Sequence, residues 1–399
     1  QDYCHIKLDK MDCDNQYSKE CNKFLLKKEL IERKCLEESE NKDTFLYPNL
    51  NDKDFNVKIA SKKEFSETTY DGEIHKDIRA YADELSKKDF ELQPHQMFVK
   101  NFLSSSTPYN SLLLYHGLGT GKTCSAIGVS EEMRDYMNQV NIIKRIIIVA
   151  SENVQDNFKL QLFDERKLKN EDGVWTINSC TGNKLLKEIN PTNLKGISKE
   201  KIITQVKNLI NSSYLFLGYG QFANYIIKTM NSSEVLNENS LISDKIIKRL
   251  NNEFSDRLIV IDEVHNIRKS EDNDNKKVAT NLEILVKYTD NLRFLFLSAT
   301  PMFNNYKEIL WLVNLININD RRSTVQFSDI FNKEGNFKKG GEELLIRKVT
   351  GYISYVRGEN PYTFPYRIYP DEFAKINTFS SIPYPKYQMN LKPISENDK

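Results

Sequence analysis

No apolar run in this chain approaches the roughly 20 residues that a membrane-spanning helix requires, so no membrane partner is expected. Net charge is also nearly lacking: 57 basic residues stand against 56 acidic ones, a balance of +1. That excludes a basic nucleic-acid coat. Any contact with nucleic acid has to come from a local surface or from backbone amides. Cysteine is sparse, six in 399 residues, and no two of the six form a C-x-x-C pair, so the common zinc spacing is missing. Reduced thiols are the expectation. The chain opens polar at Gln1, with neither an initiator Met nor the apolar core of a signal peptide. It stops as arbitrarily at Ser395 to Lys399, and the expectation is a piece of something longer.

What is there is ordinary for a globular protein, 28% charged and 39% hydrophobic residues, with length for two or three domains. The organising stretch is Ser111 to Thr123, SLLLYHGLGTGKT. A buried strand breaks into Gly117-Leu118-Gly119-Thr120-Gly121, followed by Lys122, Thr123 and a helix-competent run. Strand, glycine loop, Lys-Thr and helix form the P-loop arrangement, in which backbone N–H groups and a helix N-terminus surround phosphate oxygens. Lys122 would reach the β- and γ-phosphates of ATP, and Thr123 Oγ would ligate Mg²⁺. One departure stands out: His116 occupies the first position, where the strict pattern has glycine.

Short continuous apolar runs follow at Ile146–Val149, Val174–Ile177, Tyr214–Leu217, Leu258–Ile261 and Phe294–Leu297. Continuous rather than alternating hydrophobicity predicts strands buried on both faces, as in a parallel sheet. Helix-competent segments lie between several of them, so the fold class is α/β with a mostly parallel, doubly wound sheet. Ligands of such sheets bind beyond the carboxyl ends of the strands. Two more strand ends carry chemistry. Leu258 to His265, LIVIDEVH, ends in two carboxylates and a histidine: Asp262 suits a Mg²⁺ role and Glu263 a base or water-orienting role. Phe294 to Pro301, FLFLSATP, ends in small hydroxyl residues.

Together these motifs resemble helicase superfamily 2, in the proper order from about Leu92 to Ile316. The resemblance implies a RecA-like ATP-binding domain over residues 89–320. It implies that Gln96, in Leu92-Gln93-Pro94-His95-Gln96, reads adenine, and that Gly117, Gly119, Thr120, Gly121, Lys122 and Thr123 form motif I. Asp262-Glu263-Val264-His265 would be a DExH box. His265 with Ser298, Ala299 and Thr300 would couple hydrolysis to movement. Ser151 and Asn153 would be motif Ia contacts to nucleic acid, and Thr181 and Gly182 motif Ib contacts. Gly218 to Gln221 sits where a further contact is expected. Each of these segments also reads as an ordinary cap or turn.

The segment LSATPMFNNYKEILWLVNLI resembles Swi/Snf-type remodelling ATPases, through Asn304-Asn305 and a helix with Glu308, Leu310 and Trp311. The tail Gly351 to Pro370 resembles the ATPases of nucleocytoplasmic large DNA viruses, a group that includes the poxviral early transcription factor small subunit and nucleoside triphosphatase I. The resemblance implies nucleic acid as the track, DNA ahead of RNA with the choice left open, viral RNA polymerase or transcription factor subunits as partners, and a viral factory or virion as the location. Residues 1–88 read as an extension with one amphipathic helix near Ser18 to Glu38. Residues 321–399 read as a helical protrusion leading to a second RecA-like domain. The family's arginine finger belongs to that second domain and can be worth ~10³–10⁵ in rate; no such motif follows Pro370. This stretch is therefore expected to bind nucleotide and turn it over slowly. Two other readings compete. One is a non-catalytic assembly subunit that uses ATP binding to dock DNA or polymerase. The other is a P-loop GTPase or kinase, against which stands the lack of an N-K-x-D segment.

Overall fold

The computed structural model describes residues 19–38, 46–70, 77–87, 91–117, 119–230, 242–267, 273–302, 307–356, 386–387 and 393–394. The Asn304-Asn305 pair, most of the Gly351 to Pro370 tail, Cys4 and Cys13 lie outside them. The chain forms two compact units. The second unit's described parts are the helix Ile78–Lys87 and an isolated bridge between Tyr387 and Pro393. Everything below concerns the first.

Its sheet has six strands, all parallel: β1 (Ser111–His116), β2 (Ile146–Val149), β5 (Tyr214–Leu217), β6 (Leu258–Ile261), β7 (Arg293–Ser298) and β8 (Ile353–Val356). A separate antiparallel hairpin holds β3 (Leu168–Glu171) and β4 (Val174–Ile177). The order across the large sheet is β5-β2-β6-β7-β1-β8. Successive residues of each strand point to opposite faces, and two cores result. Leu112, Leu114, Ile146, Ile148, Leu258, Val260, Leu295 and Leu297 face one. Leu113, Ile147, Val149, Ile259, Ile261, Phe294 and Phe296 face the other.

Each core is closed by helices whose apolar stripes match it. On the first face lie Pro94–Phe102, Lys122–Gln139, Glu152–Leu162 and Lys199–Ser213, which bury Val99, Ile127, Phe158 and Val206. On the second lie Tyr219–Met230, Asp244–Phe254, Asn273–Tyr288 and Lys307–Asn319, which bury Phe222, Leu250, Leu282 and Leu315. This is a doubly wound α/β architecture, and it explains why the strands carry unbroken apolar runs.

Three expectations change. Val174–Ile177 does not join the parallel sheet but pairs with Leu168–Glu171 across Asp172-Gly173, where both residues have positive φ (52° and 86°). Asp-Gly is a two-residue hairpin signal, and it outweighed the apolar run. Second, the sheet extends past residue 320, because Ile353–Val356 pairs with β1 as an edge strand. It is short and only partly buried, so its sequence carries little strand pattern. Third, the described cysteines are not reduced: Cys124 is bonded to Cys180, and Cys21 and Cys35 are also in disulfides.

Candidate active site

Lys122, Asp262 and Ser298 all follow or end adjacent parallel strands, β1, β6 and β7. They therefore share the carboxyl edge of the sheet, with β7 lying between the other two.

The glycine loop after β1 turns sharply. Gly119 and Gly121 have φ of +77° and +76°, a region that side chains make costly. At Gly121 space is also closed: an added Cβ would lie 2.4 Å from Gln96 Nε2. Gln96 is buried, accepts from Gln93 N at 2.8 Å and donates to Gly121 O at 3.0 Å. Both ends of its amide are thus used by the protein's own backbone, as a capping box and as a brace on the loop. Gly121→Ala is expected to destabilise the fold by about 1–3 kcal/mol. Combining it with Gln96→Ala should recover only part of that loss, since the positive φ remains. Urea midpoints of the three variants check this.

Lys122 Nζ donates to His116 O at 2.9 Å and to Gly117 O at 3.0 Å. Burial pulls its ammonium below the usual lysine range, while Glu263 and Asp262 partly oppose that. Thr120 is buried and its hydroxyl closes the loop on Gly117 O at 2.9 Å. His95 adds a second brace, Nε2 lying 2.8 Å from Thr120 O.

His116 is fully buried at the end of β1. Its Nε2 lies 2.8 Å from Ser354 Oγ on β8, and its Nδ1 has no hydrogen-bond partner. Burial, then the neighbouring His95 and Lys122, lower its pKa from 6.5 to about 3. The folded protein therefore resists a proton that the unfolded chain accepts near 6.5. Stability should fall as pH drops below about 6.5, approaching about 1.4 kcal/mol per pH unit from this group. His116→Gln should flatten that slope between pH 6.5 and 5 in thermal melts.

After β6, Asp262 is buried and Glu263 half-buried. Burial first, then the charge of Glu263, raise the Asp262 pKa to about 6, with Glu263 N and Lys122 opposing. Glu263 itself has φ 46° and ψ 53°, a left-handed conformation that costs about 1–3 kcal/mol in a non-glycine residue. Two hydrogen bonds hold it: Glu263 N to Asp262 Oδ1 and Asn266 N to Glu263 O, both 2.9 Å. The next turn brings His265 Nδ1 within 2.9 Å of Ser298 Oγ and 3.1 Å of Glu263 Oε2. The approach to Glu263 lacks hydrogen-bond alignment. Ser298 Oγ also accepts from Thr300 N at 3.1 Å. His265, Ser298 and Thr300 are thus brought together, with Ala299 between the last two.

The SNF2-related domain matches residues 95–353. The chain belongs to this family. The match runs from His95 to Ile353, the first residue of β8. Relatives include a protein of Acanthamoeba polyphaga mimivirus named "Putative ATP-dependent RNA helicase", 27% identical over 85% of this chain and 29% of that protein. Another is the "Early transcription factor large subunit homolog" of African swine fever virus, 23% identical over 88% of this chain and 38% of that protein. The chain spans well under half the length of these relatives. Among solved structures, the Sulfolobus solfataricus SWI2/SNF2 ATPase core in complex with dsDNA aligns at TM-score 0.36 and 16% identity, over 67% of this chain and 45% of that one.

The residues expected to meet nucleic acid in this SNF2-related domain differ in availability. Ser151 and Asn153 start the helix Glu152–Leu162 with exposed side chains, and the Ser151 hydroxyl makes no cap bond. Thr181 Oγ1 instead donates to Leu162 O at 3.2 Å. Gly182, with φ +52°, faces open space. Beyond β5, Gln221 Oε1 accepts from Gly218 N at 2.9 Å, and Tyr219 OH donates to Asp262 O at 2.7 Å. The Tyr219 bond ties the loop after β5 to the carboxylates after β6. Its only sequence signal was a polar aromatic at a strand end. The pair His116–Ser354, 238 positions apart, had no local signal at all.

Proposed function

We propose that this domain is the ATP-binding half of a nucleic-acid-dependent ATPase that moves on or remodels DNA in viral transcription. The observation that carries this reading is the convergence of Lys122, of Asp262 with Glu263, and of His265 with Ser298 at one sheet edge. Lys122 exchanges its two loop carbonyls for phosphate oxygens, and the loop N–H groups share the remaining charge. Gln96, bonded to Gln93 N and Gly121 O, would release those two bonds to read adenine. Glu263 orients and deprotonates the attacking water. His265 passes the state of Glu263 to Ser298 and Thr300.

Mg²⁺ fits the donors: a threonine hydroxyl and a buried carboxylate are hard oxygen ligands. A cation would also favour the charged form of Asp262 that burial opposes. Thr123 and Asp262 would hold it, and when bound it would neutralise phosphate charge. Ser151, Asn153 and the turn at Thr181-Gly182 would grip backbone phosphates, which carry no base information. The mimivirus and African swine fever virus relatives support a viral setting and a part in transcription; a factory or virion location and polymerase or transcription-factor partners go with that reading.

The test is ATP turnover of the full-length protein with single-stranded DNA, duplex DNA and RNA in turn. Strong stimulation by DNA is expected. Stimulation by RNA alone would replace the track. ATP binding without stimulated turnover would favour a docking subunit instead.

A further inference from the structure

Cys124 and Cys180 lie 56 positions apart in sequence, yet their Cα atoms are 5.3 Å apart, within the span a disulfide bridges. Their surroundings give the bond its meaning. Cys124 follows Thr123 in the first turn of the helix Lys122–Gln139. Cys180 precedes Thr181 and Gly182 in a tight turn, closed by Gly182 N donating to Ser179 O at 2.8 Å. The bond from Thr181 Oγ1 to Leu162 O also fastens this turn to the end of the helix that Ser151 begins. One covalent link therefore joins the phosphate-loop helix to the turn assigned above to nucleic acid. The opened state is provided for as well: Gln161 Oε1 sits 3.3 Å from Cys180 Sγ, placed to accept the thiol proton. A side chain at Gly182 would meet nothing within 4 Å, so the outer side of the turn is uncrowded.

We infer that Cys124 and Cys180 form a reversible thiol–disulfide switch: oxidised, it clamps the 179–182 turn to the phosphate-loop helix and uncouples nucleic-acid binding from ATP turnover. The effect on turnover rests on the function proposed above; the bond and its hold on the turn do not. In the oxidation, two thiols lose two protons and two electrons and one S–S bond forms. A low-molecular-weight disulfide of the glutathione type accepts both and leaves as two thiols.

The experiment equilibrates the full-length protein with oxidised or reduced glutathione. Peptide mapping reads the Cys124–Cys180 link, amide hydrogen exchange reads residues 179–183, and ATP turnover is measured with and without saturating duplex DNA. The linked peptide is expected in the oxidised sample. Reduction should raise both exchange in the turn and DNA-stimulated turnover by about threefold or more, with ATP affinity unchanged. Cys180→Ser should behave as the reduced protein under both conditions, which separates this pair from the disulfides at Cys21 and Cys35. Failure to find the link, or a link with unchanged exchange, overturns the switch. Equal stimulated turnover in both states, or a Cys180→Ser protein as redox-sensitive as the wild type, overturns its role in coupling. If exchange responds but no sample turns over ATP, the clamp stands and the ATPase reading falls.

Discussion

Glu263→Gln in the full-length protein is expected to cut ATP turnover by about 10²–10⁴-fold with little change in ATP affinity. The amide keeps the shape of the side chain but loses its negative charge and its ability to take a proton. The backbone should tolerate it: the left-handed conformation at this position is held by main-chain contacts, Glu263 N to Asp262 Oδ1 and Asn266 N to Glu263 O. What changes is the charge beside His265 Nδ1, 3.1 Å from Glu263 Oε2. Steady-state turnover and a fluorescent-nucleotide titration separate the two effects. Equal losses in both would assign Glu263 to binding, and undiminished turnover would remove it from the chemistry. His265→Ala should lose less basal rate, with the deficit concentrated in stimulation by nucleic acid. Its contact with Ser298 joins the turn after β6 to the end of β7.

The second large effect concerns stability. Lys348→Met should destabilise the chain by about 3–5 kcal/mol, because it strands a buried carboxylate. Lys348 and Glu29 are 1% and 4% exposed. The ammonium donates to Glu29 Oε2 at 2.6 Å, to Ser323 O at 2.7 Å and to Ser323 Oγ at 2.6 Å, so all three of its donors are used. Glu29 Oε1 accepts from Ser323 N at 2.6 Å. Burial nevertheless brings the lysine pKa down to about 8, against the pull of Glu29. Removing both charges together, as Glu29→Met with Lys348→Met, should cost much less than the single change, since a matched apolar pair replaces two expensive desolvations. Urea unfolding of the single and double variants gives the coupling. A single variant as stable as the wild type would show that water reaches Glu29.

The Glu29–Lys348 pair also fastens the helix Lys19–Glu38 to the helix Gly341–Val349, which leads into β8. From sequence, residues 1–45 read as a solvated helical appendage, 46–88 as an irregular extension that packs on the main domain, and 321–399 as a helical protrusion. In the structure Phe55, Ile59 and Phe65 from residues 46–70 also enter the core beneath the sheet.

Local pattern was enough for the pieces whose cause is local. The bounds of β2 and β6 coincide with their apolar runs, because a strand buried on both faces must be apolar at every position. The phosphate-loop shape, the helix at Pro94 and the two carboxylates after β6 are likewise set by neighbours a few residues away. Val174–Ile177 shows the limit. Its run looks like the others, and only Asp172-Gly173 beside it says hairpin. What the tertiary structure alone decided is which distant groups meet. His116 meets Ser354, Cys124 meets Cys180, Glu29 meets Lys348 and Tyr219 meets Asp262. The physical reason is that periodicity records a residue's own burial, whereas partners follow from strand order and register, which place residues hundreds of positions apart at one sheet edge.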